Sequence, residues 1–278
     1  MQGQIIKIRS NIHEVESNGQ VYSLIPRGIL RKEKIVPRVG DYVEFDPEQK
    51  VLEKVLPRKN EFERPFVSNI DQAFIITSLQ KPDFSLGLLD RFLVLMELHH
   101  VTPIICITKK DLVTESFLDK ISSLLQYYQD IGYTVIFNTE IDAIKTLLQG
   151  KTSVFTGQTG AGKSTLLNHI NPDWNLVTGE ISEALGRGRH TTRNVELYRF
   201  HDGKVLDTPG FSALTFQGFT KEDIKNAFPE FSFYPCPFRD CSHTKEKECA
   251  IKEAVEEQKI LKSRYESYIK FLEEVSSC

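Results

Sequence analysis

The chain has 278 residues, of which 40% are hydrophobic, and its formal net charge is -3 at pH 7. This length suffices for two or three domains with a substantial core, and this charge excludes a uniformly basic coat for nucleic acid. The longest apolar runs are too short to cross a bilayer and the first residues lack a secretory signal, so we expect a cytoplasmic protein.

Short segments that alternate between apolar and polar residues run through residues 1–66, separated by turn signals such as Asn18-Gly19. This pattern predicts a small β-barrel. Basic residues concentrate in its middle, at Arg27, Arg31, Lys32, Lys34 and Arg38. Such a cluster suits an RNA backbone, but charged runs are also common in solvated loops, and the residues alone leave both interpretations open.

From Asn69 onward, apolar runs alternate with segments of helical periodicity. Strands are expected at 73–78, 103–108, 134–137 and 152–156, and helices at 86–99 and 115–131. This alternation predicts a parallel sheet with crossover helices. Cys106 lies inside one of the apolar runs and is expected in the core.

The second of these strands runs into Thr108-Lys109-Lys110-Asp111, which is similar to the NKxD element with which GTPases read guanine. Asp111 would accept hydrogen bonds from guanine N1–H and the exocyclic amino group, and the stem of Lys109 would cover the base. Adenine lacks this pair of donors, so it would leave the carboxylate unpaired at roughly 1–3 kcal/mol per lost bond. The alternative is a charged turn in which Asp111 caps the helix that begins near Thr114.

The fourth strand leads into a glycine-rich run that fits GxxxxGK(S/T), the loop whose backbone amides cradle nucleotide phosphates. The run comprises Gly157, Gln158, Thr159, Gly160, Ala161, Gly162, Lys163, Ser164 and Thr165. Lys163 would reach the β- and γ-phosphate oxygens, and Ser164 would bind Mg²⁺. Thr165 would lie at the start of a helix whose N-terminus favours anions. A glycine loop without a ligand is the alternative, which the position between a strand and a helical segment disfavours.

Further along, an apolar strand at 204–206 ends in Asp207-Thr208-Pro209-Gly210, a DxxG element. Asp207 would reach Mg²⁺ through water, and the amide of Gly210 would sense the γ-phosphate. In ordinary GTPases the guanine-reading element follows the phosphate loop, whereas here Asp111 precedes Gly157. The motif order therefore predicts a circularly permuted domain, which keeps the parallel sheet and the loops at its edge in place.

A Cys/His cluster follows, with Cys236, Cys241, His243 and Cys249 close together in the sequence. Three thiolates and one imidazole match the four ligands of a closed, structural zinc site. The odd total of 5 cysteines also suits a metal site better than a disulfide framework. On spacing alone, thiols without a metal remain the alternative. From Ala250 onward, apolar residues recur at helical spacing and predict a long C-terminal helix.

The permuted order, the arginine-rich run 186–193, the DxxG element and the Cys/His cluster together resemble the bacterial ribosome small subunit-dependent GTPase A family. The resemblance implies an α/β P-loop GTPase domain between an N-terminal OB-fold and a C-terminal, mainly helical zinc-binding domain. Their boundaries are expected at 1–66, 67–217 and 218–278.

The same resemblance implies a GTPase of late 30S subunit maturation, which binds 16S rRNA and leaves after hydrolysis. Its expected cofactors are one structural Zn²⁺ and Mg²⁺ with GTP, and we expect a monomer without membrane contact. Two rival functions remain open: a regulatory GTPase or ATPase with a non-ribosomal partner, and a nucleic-acid-binding module in which the bound nucleotide only stabilises the fold.

Several positions depart from the usual GTPase pattern. Thr108 replaces an asparagine, which predicts a weaker contact with the phosphate loop, and Asn138-Thr139-Glu140 stands where a serine-alanine element normally backs the guanine. Phe211 follows the DxxG element, where regulatory GTPases place a glutamine that orients the attacking water.

Another group must therefore orient the water, and His190, in the segment expected to form switch I, is the candidate. Thr192 would complete the Mg²⁺ coordination beside the catalytic Lys163. The alternative is that His190 faces RNA phosphates or solvent. Because the DxxG element leads directly into the Cys/His region, the movement of this element on hydrolysis would be transmitted to that region.

Overall fold

The computed structural model describes residues 1–174, 195–207 and 214–276. Its N-terminal part is a five-stranded barrel in the order β1-β2-β3-β5-β4, closed by the pairing of β4 with β1. The predicted barrel is thus confirmed. A short helix, α1 (Gly28–Lys32), follows β3. The strands are β1 (Gln2–Arg9), β2 (Ile12–Ser17), β3 (Gln20–Pro26), β4 (Tyr42–Asp46) and β5 (Val51–Val55).

The predicted basic cluster of the barrel divides into exposed and buried members. Arg27, Arg31, Lys32 and Lys34 are exposed. Arg38 is 6% exposed, donates hydrogen bonds to Phe62 O and Glu63 Oε1, both at 2.7 Å, and lies 4.2 Å from the centroid of the Phe66 ring. Its assignment to an RNA-facing surface is therefore wrong, because these contacts use the guanidinium to attach the barrel to the hairpin of β6 (Glu61–Phe62) and β7 (Val67–Ser68).

The central region is a sheet with strand order β10-β9-β8-β11-β13-β12, in which all neighbours are parallel except β12 and β13. Its helices cover both faces, as expected for parallel strands made of continuous apolar runs. The strands are β8 (Gln72–Ser78), β9 (Thr102–Thr108), β10 (Thr134–Phe137), β11 (Thr152–Gly157), β12 (Glu196–Phe200) and β13 (Gly203–Asp207). The helices are α2 (Leu86–Leu98), α3 (Glu115–Asp130), α4 (Ile141–Leu148) and α5 (Lys163–Ile170).

Alternate residues of the central strands enter two separate cores. Ile75 and Ile105 belong to the core that contains residues of α2, α3 and the C-terminal helices, whereas Phe74, Phe155 and Cys106 belong to the core with α4 and α5. The rings of Phe74 and Phe155 stack at 4.6 Å across β8 and β11. Within the described ranges, no helix is long and apolar enough to cross a membrane.

The C-terminal region contains α6 (Lys221–Asn226), a 3-10 turn (Pro229–Phe233), α7 (Ala250–Glu256) and α8 (Lys262–Ser276). The prediction of one long helix from Ala250 is wrong, because the chain turns between α7 and α8. Gln258 adopts the left-handed conformation (φ +61°), the amides of Lys259 and Ile260 bond back to Ala254 O, and the side chain of Ile260 is fully buried. The apolar periodicity continued through this turn because both helices bury a face, with Ile251 and Ala254 before the turn and Tyr268 after it.

The barrel joins the central sheet along β1. One half of β1 pairs with β4, and Lys7 in its other half pairs with Glu196 of β12, so that one sheet runs through both regions. Ion pairs reinforce the joint: Lys7 Nζ contacts Glu196 Oε2, and Glu16 lies 3.1 Å from Arg199 and 3.2 Å from Lys204. The joint therefore lies at the strand that follows the predicted switch I segment.

Candidate functional site

The predicted nucleotide motifs meet at one edge of the central sheet. Strands β9, β11 and β13 are parallel to β8 or to each other, so their carboxyl ends lie at the same edge. Thr108, Gly157 and Asp207 are the last residues of these three strands. Ligands of open α/β sheets bind at this edge, which makes it the candidate nucleotide site.

The phosphate loop uses its glycines for backbone shape. Gly157, Gly160 and Gly162 have φ of +146°, +80° and +100°, values that side chains disfavour. A Cβ on Gly157 would also lie 2.2 Å from Ile76 O, so the loop leaves the sheet where only glycine fits. Lys163 is the first residue of α5, and Ser164 and Thr165 follow in its first turn, beside amides that favour anions.

The guanine-like element contacts the phosphate loop directly. Thr108 Oγ1 donates a hydrogen bond to Ala161 O at 2.6 Å, and Lys109 Nζ donates to Gly160 O at 2.7 Å and to Lys81 O. Thr108 is 2% exposed, whereas Lys109 is in the left-handed conformation at the end of its strand (φ +58°). The sequence predicted a weaker contact with the phosphate loop for Thr108 than for the usual asparagine. Thr108 nevertheless makes this contact directly, because its hydroxyl lies within hydrogen-bond distance of Ala161 O.

Asp111 lies in a 3-10 turn (Lys110–Leu112) and is exposed. Among the described residues, none forms a hydrogen bond or ion pair with its carboxylate. The cap of α3 is Thr114, whose hydroxyl accepts from the Phe117 amide at 3.3 Å, so Asp111 does not serve as the cap. Lys110 Nζ lies 5.2 Å from the centroid of the Phe137 ring at the end of β10. This arrangement leaves the carboxylate available to a ligand.

Part of the predicted site lies outside the described residues. The structure gives the backbone of Asp207, but the arginine-rich run with His190 and Thr192 falls in 175–194, and Gly210 and Phe211 fall in 208–213. The geometry described here therefore covers the phosphate loop and the guanine-like element.

The Cys/His residues come together in the C-terminal region. The ligand atoms of Cys236, Cys241, His243 and Cys249 all lie within 4.8 Å of one another. Cys236 Sγ is 3.8 Å from Cys249 Sγ, and both sulfurs are 3.4 Å from His243 Nδ1. A zinc ion about 2.3 Å from each sulfur implies sulfur–sulfur separations of roughly 3.8 Å, so the donor set fits a tetrahedral metal site.

Side chains around the cluster fix the loop that carries its ligands. Glu246 accepts hydrogen bonds from the amides of Ser242 and Thr244, at 2.8 and 2.9 Å, on either side of His243. From α8, Tyr265 donates to His243 O at 2.6 Å and Tyr268 donates to Ser242 O at 2.8 Å. Such surrounding contacts orient metal ligands. Sequence reasoning gave none of these three side chains a role at the ligand loop; for Tyr265 and Tyr268, only the tertiary fold brings α8 to the loop.

A buried charge network joins the C-terminal region to α2. Arg264 of α8 is 0% exposed, and it donates to Glu230 at 2.7 Å and to Asp90 at 3.0 Å. Asp90 also accepts from Tyr128 at 2.7 Å and from Ser267 at 2.6 Å. Burial opposes the charge of Arg264, but the carboxylates of Glu230 and Asp90 outweigh this effect and hold its pKa above that of free arginine.

The neighbouring Arg91 contacts the chain just after the DxxG element. It donates to Leu214 O at 2.7 Å and makes a bidentate pair with Glu274 of α8 at 3.0 and 2.6 Å. Its guanidinium lies 4.9 Å from the ring centroids of both Phe216 and Phe271. Sequence reasoning missed Asp90 and Arg91, although a charged pair inside the apolar run of α2 was a signal of a buried partner.

Comparisons with known proteins agree with this architecture. The profile of the RsgA GTPase family matches residues 54–217, and that of the RsgA N-terminal domain matches residues 2–51. The chain is 49% identical over 282 residues to the small ribosomal subunit biogenesis GTPase RsgA of Streptococcus pneumoniae, covering 100% of this chain and 95% of the relative. The protein of that name from Latilactobacillus sakei is 46% identical, with 98% and 95% covered.

Solved structures are similar over the whole length. The crystal structure of YloQ, a circularly permuted GTPase, superposes with a TM-score of 0.84 at 39% identity, covering 99% of this chain and 95% of that one. YjeQ from Thermotoga maritima gives a TM-score of 0.86 at 35% identity, with 100% and 99% covered. These similarities confirm the family resemblance and the predicted permuted P-loop fold.

Proposed function

The chain belongs to the RsgA GTPase family, and we propose that it hydrolyses GTP as part of the biogenesis of the small ribosomal subunit. The observation that carries this function is the pair of hydrogen bonds from Thr108 and Lys109 to the carbonyls of the phosphate loop. They hold the guanine-like element directly against the phosphate loop. The related proteins named above support the ribosomal role.

In the proposed site, the base binds next to the exposed carboxylate of Asp111, with the stem of Lys109 along its face. The phosphates bind the amides of residues 157–165, and Lys163 neutralises their charge. Mg²⁺ would be held by Ser164, which lies in the first turn of α5 beside the loop, and by Thr192, with Asp207 reaching it through water. The metal would supply charge neutralisation at the β- and γ-phosphates. Gly210 would report the γ-phosphate through its amide.

Selectivity for guanine is the first part of the proposal to test. Asp111→Asn should weaken GTP binding and shift preference toward XTP, because an amide can pair with the xanthine edge. Competition binding with GTP, ATP and XTP measures this shift. Asp119→Asn, an exposed aspartate of α3, is the matched control and should leave the preference unchanged. Equal competition by ATP and GTP in the parent protein would exclude the guanine assignment.

We propose the division 1–66, 67–217 and 218–278 as barrel, GTPase and zinc domains. Arg31, Lys32 and Lys34 support RNA contact by the barrel, since they are exposed and have no ion-pair partner among the residues that the structure describes. The expected RNA is the 16S rRNA of the 30S subunit. A monomer would suffice for this contact.

The C-terminal cluster is proposed to hold one structural Zn²⁺ per chain. Cys236, Cys241, His243 and Cys249 would be its ligands, and with all positions filled the ion would stabilise the fold without taking part in hydrolysis. The tyrosines of α8 support this role, because they donate to carbonyls of the loop whose shape the metal would fix.

Hydrolysis is proposed to be slow in the free protein and much faster on the small subunit. Phe211 cannot orient water, so a partner would have to bring His190 and Thr192 to the nucleotide. His190 would then orient the attacking water. The barrel joint at Glu196 and the contact of Arg91 with Leu214 lie next to the two nucleotide-sensing segments, which supports transmission of the nucleotide state to both flanking domains.

The test combines GTP turnover with and without 30S subunits and cosedimentation with a GTP analogue or GDP. His190→Ala should spare binding and cosedimentation but lose most of the stimulated turnover. His169→Ala, an exposed histidine of α5, should keep the parent rate. Lys163→Ala and Ser164→Ala should impair nucleotide or Mg²⁺ handling with or without subunits. Absence of any stimulation by subunits in the parent would argue against the ribosomal role.

A further inference from the structure

The side chain of His99 contacts two segments that belong to different parts of the molecule. His99 caps the C-terminal end of α2, and its ring stacks on that of Phe62 in the β6–β7 hairpin, with 4.2 Å between the ring centroids. The same ring meets Phe219, which lies just before α6, edge-on at 5.3 Å. One side chain at the end of α2 therefore contacts both the hairpin and the start of the C-terminal region.

The hairpin that carries Phe62 also holds the barrel. The ring of Phe62 is buried, and its carbonyl oxygen accepts a hydrogen bond from Arg38 at 2.7 Å. In the second strand of the hairpin, the amide of Ser68 donates to Val39 O at 3.0 Å. Both bonds run from the hairpin to the chain between α1 and β4 of the barrel. A displacement of Phe62 would therefore act directly on the contacts between hairpin and barrel.

Phe219 ends the segment 214–219, which follows the DxxG element. Phe216 of this segment is buried and packs on Phe271 of α8 at 4.8 Å between ring centroids. The amide of Phe219 donates to Phe216 O at 3.2 Å, so one tight turn carries both rings. The chain around the DxxG element of GTPases changes conformation with the γ-phosphate. A change that reaches this turn would be passed to α8 by Phe216 and to His99 by Phe219.

A pocket of about 640 Å³ beside the three rings gives the segment room to shift. Thr215, Gln217 and Gly218 line one part of it, and Leu95 and Met96 of α2 line another. The three residues of the segment are exposed, and within the described part of the chain neither Thr215 nor Gln217 forms a hydrogen bond. Segments that move in proteins are drawn from such weakly held parts. Between its two packed rings, this segment can therefore move against α2.

We propose that His99 connects the segment 214–219 to the hairpin, so that the nucleotide state alters the contact between hairpin and barrel through α2 and not through β12. The inference rests on the proposed transmission of the nucleotide state and adds a connection from the DxxG side to the barrel. Burial lowers the pKa of His99, and the Glu61 backbone and carboxylate offset this only in part, so the ring is neutral at pH 7 and packs as an uncharged ring. Closely packed rings pass on a displacement because they change between discrete arrangements.

Hydrogen exchange of the full chain, without ribosomal subunits, tests this connection. The protein is saturated with Mg²⁺ and either GDP or a non-hydrolysable GTP analogue, and the amides of 61–68 are followed, including that of Ser68, which bonds to the barrel. We expect their exchange rates to differ at least about fivefold between the two states, the lower end of the coupling usual between two sites. Equal rates in the parent protein would overturn the inference.

Two variants interrupt the connection at different points. His99→Ala removes the central ring, and Phe219→Leu removes only the ring contact with the segment. In each variant the difference at 61–68 should fall below about twofold, while the affinities for GDP and the analogue stay within about twofold of the parent values. The double variant should lose no more than His99→Ala alone, because both changes interrupt one connection. A ring that only stabilises the fold would speed exchange equally in both states and leave the difference intact.

Two controls separate this connection from other effects. His100→Asn changes the exposed neighbour of His99, whose left-handed backbone (φ +54°) asparagine accepts, and Glu196→Gln weakens the barrel joint at β12. Both controls should keep the difference at 61–68.

A full difference in folded His99→Ala or Phe219→Leu protein would overturn the connection, as would its loss in Glu196→Gln. If His99→Ala does not fold, Phe219→Leu decides alone. Subunit-stimulated GTP turnover of the parent is measured separately: its absence would reject the ribosomal role, whereas the exchange difference is a property of the free protein and is judged independently.

Discussion

The barrel and the C-terminal region are attached to the central sheet by different physical means. The barrel joint is a strand pairing with ion pairs around Glu16, whose partner Arg199 is 62% exposed on its side chain. The C-terminal joint places Arg264, fully buried, between Asp90 and Glu230, next to packed aromatic rings. The first set of contacts is partly open to water, with the side chains of Lys204 and Glu16 19% and 10% exposed, whereas water cannot reach the second. We therefore expect the barrel joint to loosen gradually and the C-terminal joint to be lost in one cooperative step.

Loss of a metal ligand should break the C-terminal side most severely. Cys249→Ser, or removal of the metal with a chelator, should abolish zinc binding and open 236–276, because metal binding contributes directly to folding in small domains. Metal analysis and hydrogen exchange measure the two effects, and GDP affinity should stay within about twofold. Cys106→Ala, in the core of the central sheet, is the control and should retain one zinc per chain. Stoichiometric zinc in Cys249→Ser would contradict the assigned ligand set.

The buried arginine should come next in effect. Arg264→Met removes the charge and leaves Asp90 and Glu230 as buried carboxylates without their partner, which should lower the free energy of unfolding by about 3–5 kcal/mol. Urea unfolding followed by circular dichroism measures the loss. Lys262→Met, whose side chain is 81% exposed on the same helix, should change it by less than about 0.5 kcal/mol. Equal effects of the two variants would show that the buried network contributes no more to the free energy of unfolding than an exposed charge does.

A smaller effect is expected at Arg91, whose side chain is 17% exposed and whose partner Glu274 is 32% exposed. Arg91→Gln should free Leu214 O and Glu274 and cost about 1–3 kcal/mol locally, since one partner of charge-assisted hydrogen bonds is lost. Hydrogen exchange at 214–219 and in α8 should quicken, whereas exchange in the barrel should not. If only the barrel responds, Arg91 does not connect the DxxG segment with α8.

The barrel joint should give the smallest change, and its pH dependence has a definite sign. Burial raises the pKa of Glu16, but the Gly19 amide, Lys204 and Arg199 together lower it below its ordinary value. The stabilisation is therefore present above the unfolded value near pH 4.5 and is lost as the pH falls through the lower folded value. Glu16→Gln should cost about 0.5–1 kcal/mol at pH 7 and progressively less as the pH falls below 4.5, measured by urea unfolding. Glu14→Gln, whose nearest ion-pair distance is 3.8 Å, serves as the control.

Local sequence signals predicted the motifs well and the joints poorly. The glycine spacing of 157–162 and the apolar strand before Thr108 were readable because each depends on neighbouring residues. Arg38 was misassigned because its partners Phe62 and Glu63 lie far along the chain. The turn at Gln258 was missed since no glycine or proline marks it and Leu261 keeps the apolar pattern. The contacts of Thr108 with Ala161 likewise required the fold, although both motifs were recognised.

The position of β1 between the barrel and the central strands also has a consequence for aggregation. Lys7 of β1 pairs with Glu196 and so covers β12, which lies at the end of the central sheet order. A fragment that begins at residue 67 would present β12 as a free edge, and unprotected edge strands recruit strands from other molecules. Such a fragment is expected to self-associate through β12, whereas one that retains the barrel should remain dispersed. The barrel thus protects the edge of the sheet that carries the nucleotide loops from pairing with other molecules.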